Sequence, residues 1–321
     1  MGWIEGSFVG LLPELQAVAA RYSGPLSYDH PGQLAWSSIS DSREAPAFIV
    51  DGDAYGILEA PHWLQVGGNP DRAGGVIEWA RFRASGFNVM ALDGPLADRL
   101  AQSGGQAIPG DTWLVQQVID LAVVTRPKIE GYRFRHVHRD EAAARAACHR
   151  AAWSDTVPSG MSAQMYEWLM ETPYYDSGLD WVAVAEHSGE MAASCTVWRC
   201  GDVALVESVG CASAHRRRGL GSGVTLAALV AAREDGAATG IVRPRGDSGY
   251  PVPVRLYRSM ASPTRHVPVS SASPDAVGHH QLRAGYGDGN PVADADQSVQ
   301  VNGIWEPDKV GAGRPGWRRG S

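Results

Sequence analysis

The chain is almost without lysine. Lys128 and Lys309 are the only two among 321 residues, and arginine supplies the rest of the 28 basic side chains. Acidic residues number 35, so the net charge is −7 and the pI about 5.8. That balance argues against a nucleic-acid binder, which carries a basic excess. Cysteine is equally sparse: Cys148, Cys195, Cys200 and Cys211 form no Cys-x-x-Cys pair, and no histidine spacing completes a zinc site. Isolated cysteines of this kind usually behave as small buried apolar residues. No run approaches the roughly 20 apolar residues of a membrane span, and no basic segment followed by an apolar stretch opens the chain. These absences predict a reduced, cytoplasmic, soluble protein with no metal, membrane or nucleic acid among its partners.

What is present suits a folded enzyme or binding protein. Hydrophobic residues make up 44% and charged residues 20%, enough to bury a sizeable core, and the length suggests two domains. In residues 1–125 the pattern predicts a helix over Leu11–Arg21 and strands over Ala47–Val50 and Tyr55–Glu59, joined by an Asp51-Gly52-Asp53 turn. A helix over Val76–Ser85, a strand over Asn88–Leu92, a helix over Pro95–Gln102 and a strand over Trp113–Val118 follow. Gly67 to Asp71 reads as a turn only.

A short polar linker, about 125–131, precedes a second region, 131–260. Strands are expected over Tyr132–Val137, Trp181–Glu186, Met191–Arg199, Val203–Val209 and Gly240–Arg243. Helices are expected over Glu141–Trp153, Gln164–Met170, Leu220–Arg233 and Pro251–Met260. Residues 261–321 are rich in Ser, Pro, Gly and Asp without sustained periodicity, and read as an irregular or disordered tail. The fold class expected is α/β (α+β).

One run carries chemistry. From Val203 to Gly223 an apolar strand ends in a loop, three arginines follow, and Gly219, Gly221 and Gly223 open a long helix. Glycines let backbone N–H groups approach a ligand closely, and a helix N-terminus offers orphan donors at a positive dipole end. Those are the requirements for holding a diphosphate, with guanidiniums adding charge for its outer oxygens. The bland alternative is a solvated basic loop or a nucleic-acid patch. A dinucleotide loop of the form G-x-G-x-x-G with an acidic residue about 20 positions on is not formed. Ser213, His215 and Asp247 do not make a hydrolase triad, because the G-x-S-x-G elbow is absent. His279-His280 falls in the tail.

The run resembles the GNAT superfamily of N-acyltransferases, whose coenzyme A loop has the form Gln/Arg-x-x-Gly-x-Gly/Ala and stands here as Arg216-Arg217-Arg218-Gly219-Leu220-Gly221. The resemblance covers about 131–260 and is specific over 203–260. It implies a mixed, mostly antiparallel sheet flanked by helices, with acetyl-CoA as cosubstrate. Val209, Gly210 and Cys211 would pair with the pantetheine arm, and Arg216, Arg217, Arg218, Gly219, Leu220, Gly221 and Ser222 would surround the diphosphate. It also implies two proton-transfer residues. Glu207, expected on the same strand face as Val209, matches the family's base; its bland alternative is a carboxylate paired with a neighbouring arginine. Tyr257 in Leu256-Tyr257 matches the donor to the departing thiolate; its alternative is a core aromatic.

Two departures qualify the match. The family continues Tyr-x-x-x-Gly-Phe into a closing pair of strands, whereas Ala261-Ser262 stand here and no strand pair is legible. The expectation is a sheet edge left open beside the coenzyme A loop, as if the reading frame had changed near codon 260. Residues 1–125 follow the element order of a GNAT second half without the Arg/Gly loop, which resembles a degenerate first copy in a tandem GNAT protein. The function expected is acetyl transfer to an amine by direct attack, the acceptor being a small molecule or a protein N-terminus, with a homodimer as the candidate assembly. The alternative is a non-catalytic acyl-CoA-binding or interaction protein with a damaged C-terminus.

Overall fold

The computed structural model describes residues 2–6, 8–37, 46–59, 63–84, 86–92, 94–102, 104, 106–155, 158–244, 252–258, 260 and 265–273. The first run of elements is β1 (Ile4–Gly6), α1 (Phe8–Tyr22), α2 (Pro31–Ser37), β2 (Ala47–Val50), β3 (Ala54–Glu59), β4 (Trp63–Gly68), α3 (Ala73–Arg81), β5 (Asn88–Leu92), α4 (Pro95–Gln102) and β6 (Gln106–Asp120). The second is β7 (Tyr132–His136), α5 (Ala142–Trp153), α6 (Ala163–Met170), β8 (Asp180–Ala185), β9 (Met191–Cys200), β10 (Val203–Cys211), α7 (Leu220–Glu234), β11 (Thr239–Val242), α8 (Val252–Arg258) and β12 (Arg265–Ser273). Both runs read β-α-α-β-β-β-α-β-α-β. Each also contains one parallel pair at the same place, β4 with β5 and β10 with β11. The chain therefore repeats one fold unit, mixed and mostly antiparallel with helices on its faces.

Local chemistry explains the better-defined elements. In α1 the residues Leu11, Leu12, Leu15, Val18 and Ala19 are buried, a helical stripe facing the sheet. The β2–β3 turn is held by Asp51, whose Oδ1 accepts from the N–H groups of Asp53 at 2.9 Å and Ala54 at 2.8 Å. Helix α3 starts and ends earlier than the expected Val76–Ser85. Asn69 accepts from Asp71 N–H, with Pro70 opening the turn that leads into it. Its end comes at Phe82, whose N–H bonds to Glu78 and Ala80 carbonyls well before Gly86.

The strands form one sheet in the order β1-β2-β3-β4-β5-β12-β6-β11-β10-β9-β8-β7. Its centre corrects the expectation of a tail without strands. Residues 265–273 form β12, which pairs antiparallel with β5 on one side and β6 on the other. β6 in turn pairs antiparallel with β11. Each copy's last strand thus sits next to the other copy's fifth, so β11 is flanked by a strand of the first copy and is no exposed edge. The expected open edge beside the coenzyme A loop is filled from more than a hundred residues upstream. Residues 274–321, including His279-His280, lie outside the described residues, as do Asp247 and the Ala261-Ser262 pair.

The two copies also share a core. Ala35 and Trp36 of α2 join the cluster formed by Leu205, Trp198, Val182 and Tyr166 of the second copy. α2 packs on β9 and β10. On the opposite face of the second copy, α7 buries Leu220, Val224, Ala227, Ala228 and Leu229 against β8–β10. Among the described residues no helix is long and apolar enough to cross a membrane.

Candidate active site

The second copy opens along β10. Val203 to Val206 lie in parallel register with Thr239 to Val242 of β11. On the other side β10 pairs with β9, and that register shifts between Val206 and Val209. Past the shift, Val209, Gly210 and Cys211 keep their β9 partners Cys195, Ser194 and Ala193 but have none on β11. Among the described residues their backbone groups on the β11 side have no strand partner, and an extended amide-bearing arm can pair with such groups as an added strand. Gly210 has to be glycine. A Cβ there would stand 2.6 Å from the Ala152 Cβ and clash with the Trp153 ring of α5.

The chain then turns into α7. Arg217 (φ 61°) and Gly219 (φ 78°) are left-handed, and Gly219 is the N-cap residue without a side chain to cap the helix. Gly223 N–H already bonds back to Gly219 O at 2.8 Å. The N–H groups of Leu220, Gly221 and Ser222 precede it in the first turn, where a helix has no internal acceptor. No acidic residue occurs between Ser213 and Ser222. The donor set fits a diphosphate: orphan amides at a positive dipole end, with Arg217 and Arg218 exposed beside them.

Arg216 is engaged differently from its neighbours. Its guanidinium donates to Asp155 at 2.6 and 2.8 Å, to Ala152 O at 2.7 Å and to Cys211 O at 3.2 Å. It ties the loop to the C-terminal end of α5, a bracing job that leaves the outer charge to the next two arginines. His215 is pinned likewise, its Nδ1 2.9 Å from Tyr132 OH and its Nε2 3.6 Å from Glu190.

Glu207 departs from the expected alternation. The register shift inserts an extra residue, so Glu207 and Val209 do not share a face. Val209 packs into the α7-side core, while the Glu207 carboxyl interacts with Arg243 and Tyr28 on the side covered by the first copy. Burial pushes that carboxyl up to about 7 against the opposing pull of Arg243. A carboxyl poised there can take a proton at neutral pH. Tyr257 lies on α8, buried in the core that holds Leu220 and Val224. α8 packs on α7, and a Cβ at Gly221 would stand 3.3 Å from Leu256 Cδ1. The base candidate and the acid candidate therefore sit on opposite faces of β10. Cys211, the last residue of β10, is pushed by burial up to about 11 and is no thiolate nucleophile near neutral pH.

The first copy's counterpart of this loop is chemically different. Beside its β4–α3 turn lies a pocket of about 250 Å³ lined by Asp51, Gly52, Asp53 and Arg72. Arg72 is paired with Asp51 there, and two carboxylates at such a place repel a diphosphate. Sequence reasoning passed over Arg243, which looked only like the end of a strand. It also passed over α2; the one signal was the apolar Leu34-Ala35-Trp36 run behind Pro31.

The chain is similar to known proteins in sequence pattern and in fold. The family model described as the acetyltransferase (GNAT) family matches residues 143–245. No curated protein matches. Among solved structures, a C-terminal domain from Agrobacterium fabrum, described as that of a lysylphosphatidylglycerol synthetase, superposes with a TM-score of 0.58 at 11% identity, covering 87% of this chain and 95% of that one. A GCN5-related N-acetyltransferase from Sphaerobacter thermophilus has a TM-score of 0.49 at 16% identity, covering 84% of this chain and 95% of its own. A tandem GNAT protein from the clavulanic acid biosynthesis pathway has a TM-score of 0.48 at 16% identity, covering 85% and 97%. Residues 143–245, the heart of the second copy, are thus the part of the chain that is similar to the acetyltransferase (GNAT) family.

Proposed function

We propose that the chain transfers an acetyl group from acetyl-CoA to a primary amine by direct attack, with residues 131–260 as the catalytic domain and 1–125 as a degenerate partner copy. The observation that carries this reading is the end of the β10–β11 pairing at Val206, followed along the same strand by an acid-free, left-handed glycine turn at the α7 N-terminus. In it, backbone groups of Val209, Gly210 and Cys211 hold the pantetheine amides, and the α7 amides with Arg217 and Arg218 hold the diphosphate. Glu207 accepts a proton from the acceptor ammonium, directly or through water, freeing the amine lone pair to form the new C–N bond. A backbone N–H in this stretch of β10 steadies the oxyanion. As the C–S bond breaks, Tyr257 gives its proton to the sulfur; the new amide nitrogen then loses its second proton to the Tyr257 phenolate through water, and Glu207 releases its proton to solvent, so acid and base are both restored. The acceptor is a small-molecule amine or a protein N-terminus in a reduced, cytoplasmic setting. The reading of a non-catalytic binder rested on a damaged C-terminus, and β12 removes that support.

Two substitutions test the reading. Gly221→Val places two methyls on the diphosphate face next to Leu256. It is expected to weaken acetyl-CoA binding about 10- to 100-fold, a loss of roughly 1.4–2.8 kcal/mol, with the fold retained. Calorimetric titration measures it, and parental affinity in the variant rules the loop out. Tyr257→Phe removes only a hydroxyl and is expected to cut turnover on an amine panel about 10- to 100-fold while acetyl-CoA affinity stays within a few-fold. An unchanged rate makes Tyr257 a packing residue.

A further inference from the structure

Arg243 follows β11 in the second copy, yet its side chain is held almost wholly by the first. Its Nε donates to Gln116 Oε1 of β6 at 2.8 Å, its NH1 donates to Gln33 Oε1 of α2, and its NH2 donates to Ser27 O at 3.2 Å. The guanidinium also lies over the Tyr28 ring, 4.6 Å from its centroid. Every one of these partners is neutral, and among the described residues Arg243 makes no ion pair. A guanidinium only 8% exposed is costly unless opposite charge lies within reach. The carboxyls it acts on are Glu207 and Asp29. Asp29 already accepts from Tyr55 OH at 2.8 Å and Gly68 N–H at 3.0 Å. Glu207 is placed otherwise: among the described residues no hydrogen bond reaches its carboxyl, although Trp198 Nε1 fixes its backbone by donating to Glu207 O at 2.8 Å.

We propose that Arg243 is a positioning residue for Glu207, and that the first copy acts on the chemistry of the second by clamping this guanidinium beside the base. The proposal rests on Glu207 being the base. It assigns the degenerate copy a role beyond covering the sheet: residues 27–33 and Gln116 set how readily Glu207 ionises. Other groups packed around β10 are in no position to do this near neutral pH. Tyr28 beside α2 and Cys195 on β9 are pushed up by burial and stay uncharged. His30 ahead of α2 and His149 on α5 are pushed down to about 3 by burial and are uncharged as well. Cys148 on α5 is raised by burial, and Arg145 beside it is committed to Asp180 at 3.0 Å. Two further carboxyls of this cluster are raised by burial as well, Asp29 to about 6 and Glu59, which acts on Tyr28 together with Glu207.

The test is a carbon-13 NMR titration of the Glu207 carboxyl in the full chain, assigned with Glu207→Gln. Arg243→Met is expected to move the Glu207 midpoint upward by about one pH unit or more. Gln33→Leu, which leaves the arginine in place with one of its three hydrogen-bonded holds removed, is expected to move it in the same direction by less. On an amine panel the acid limb of kcat/KM should move with each midpoint, a readout that lost packing alone would not shift. If Arg243→Met fails to fold, Gln33→Leu decides. A Glu207 midpoint unmoved in the folded variants, or a shift confined to Asp29, overturns the proposal. A normal rate in Glu207→Gln would instead overturn the base assignment, while the NMR result would still show whether Arg243 sets the charge on this carboxyl.

Discussion

Replacing Glu207 with glutamine should slow acetyl transfer by about 10²- to 10⁴-fold at pH 7, the range a positioned general base contributes, and should make the protein more stable at pH 8. The second half follows from burial. The folded-state value of about 7 stands above the ordinary 4.5, so the folded chain holds this proton more tightly than the unfolded chain. The stability so gained is complete below about pH 4.5 and is lost as the pH rises through 7. The gap corresponds to about 3 kcal/mol at 1.36 kcal/mol per pH unit, and the partial exposure of Glu207 brings the expectation nearer 2 kcal/mol. Glutamine has no charge to bury. The variant should therefore match the parent at pH 4.5 and exceed it by about 2 kcal/mol at pH 8, read from denaturant unfolding at the two pH values. An equal difference at both would mean that ionising this carboxyl costs the fold nothing. A parental rate would leave it without a role as base. Loss of rate together with gain of stability is the signature of a site that stores a cost for function.

The parts of this arrangement legible in the sequence are those determined within about twenty residues. Strand β10, the left-handed Gly219 and helix α7 are contiguous, and their turn chemistry and apolar spacing are visible without the rest of the molecule. The β2–β3 hairpin is legible for the same reason, since Asp51 holds its own turn. What escaped is decided at long range. β12 pairs with residues 89–92 and 106–118, and its sequence, RHVPVSSAS, carries a proline and three serines instead of an alternating apolar face. The face of Glu207 depends on a register shift against β9 that no alternation rule anticipates. Strand β4 hides behind the glycines Gly67 and Gly68, which resemble a turn in sequence but pair with Tyr55 and Ala54. The repeat itself was only half legible because α2, β1 and β4 are short or weakly patterned. Once all elements are set in order, the two runs coincide.

Gly32→Val should be the most destabilising single substitution at the junction of the copies, costing about 3 kcal/mol or more. Gly32 is the second residue of α2 and has no positive φ to justify it. Its reason is contact: a Cβ there would fall inside the envelope of Trp198 Cβ and Cγ. Trp198 cannot step aside, being fully buried in the second copy's core with its Nε1 bonded to Glu207 O. α2 would have to lift instead. Lifting it would separate Trp36 from His149, whose rings now meet edge-on at 5.5 Å, and would draw Gln33 away from Arg243. Overpacking a tight core costs roughly 1–3 kcal/mol, and the lost buried contacts add to that. Gly74, in α3 with open space around its Cβ position, is the control: Gly74→Ala should stabilise by up to about 1 kcal/mol through helix propensity alone. Denaturant unfolding of the full chain measures both. Adding Trp198→Leu to Gly32→Val should recover part of the loss, since the second change makes room for the first. A Gly32→Val protein within 1 kcal/mol of the parent, or a double variant no better than the sum of its parts, would mean that α2 does not press on β9 as described. The route from the first copy to Glu207 would then have to be sought elsewhere.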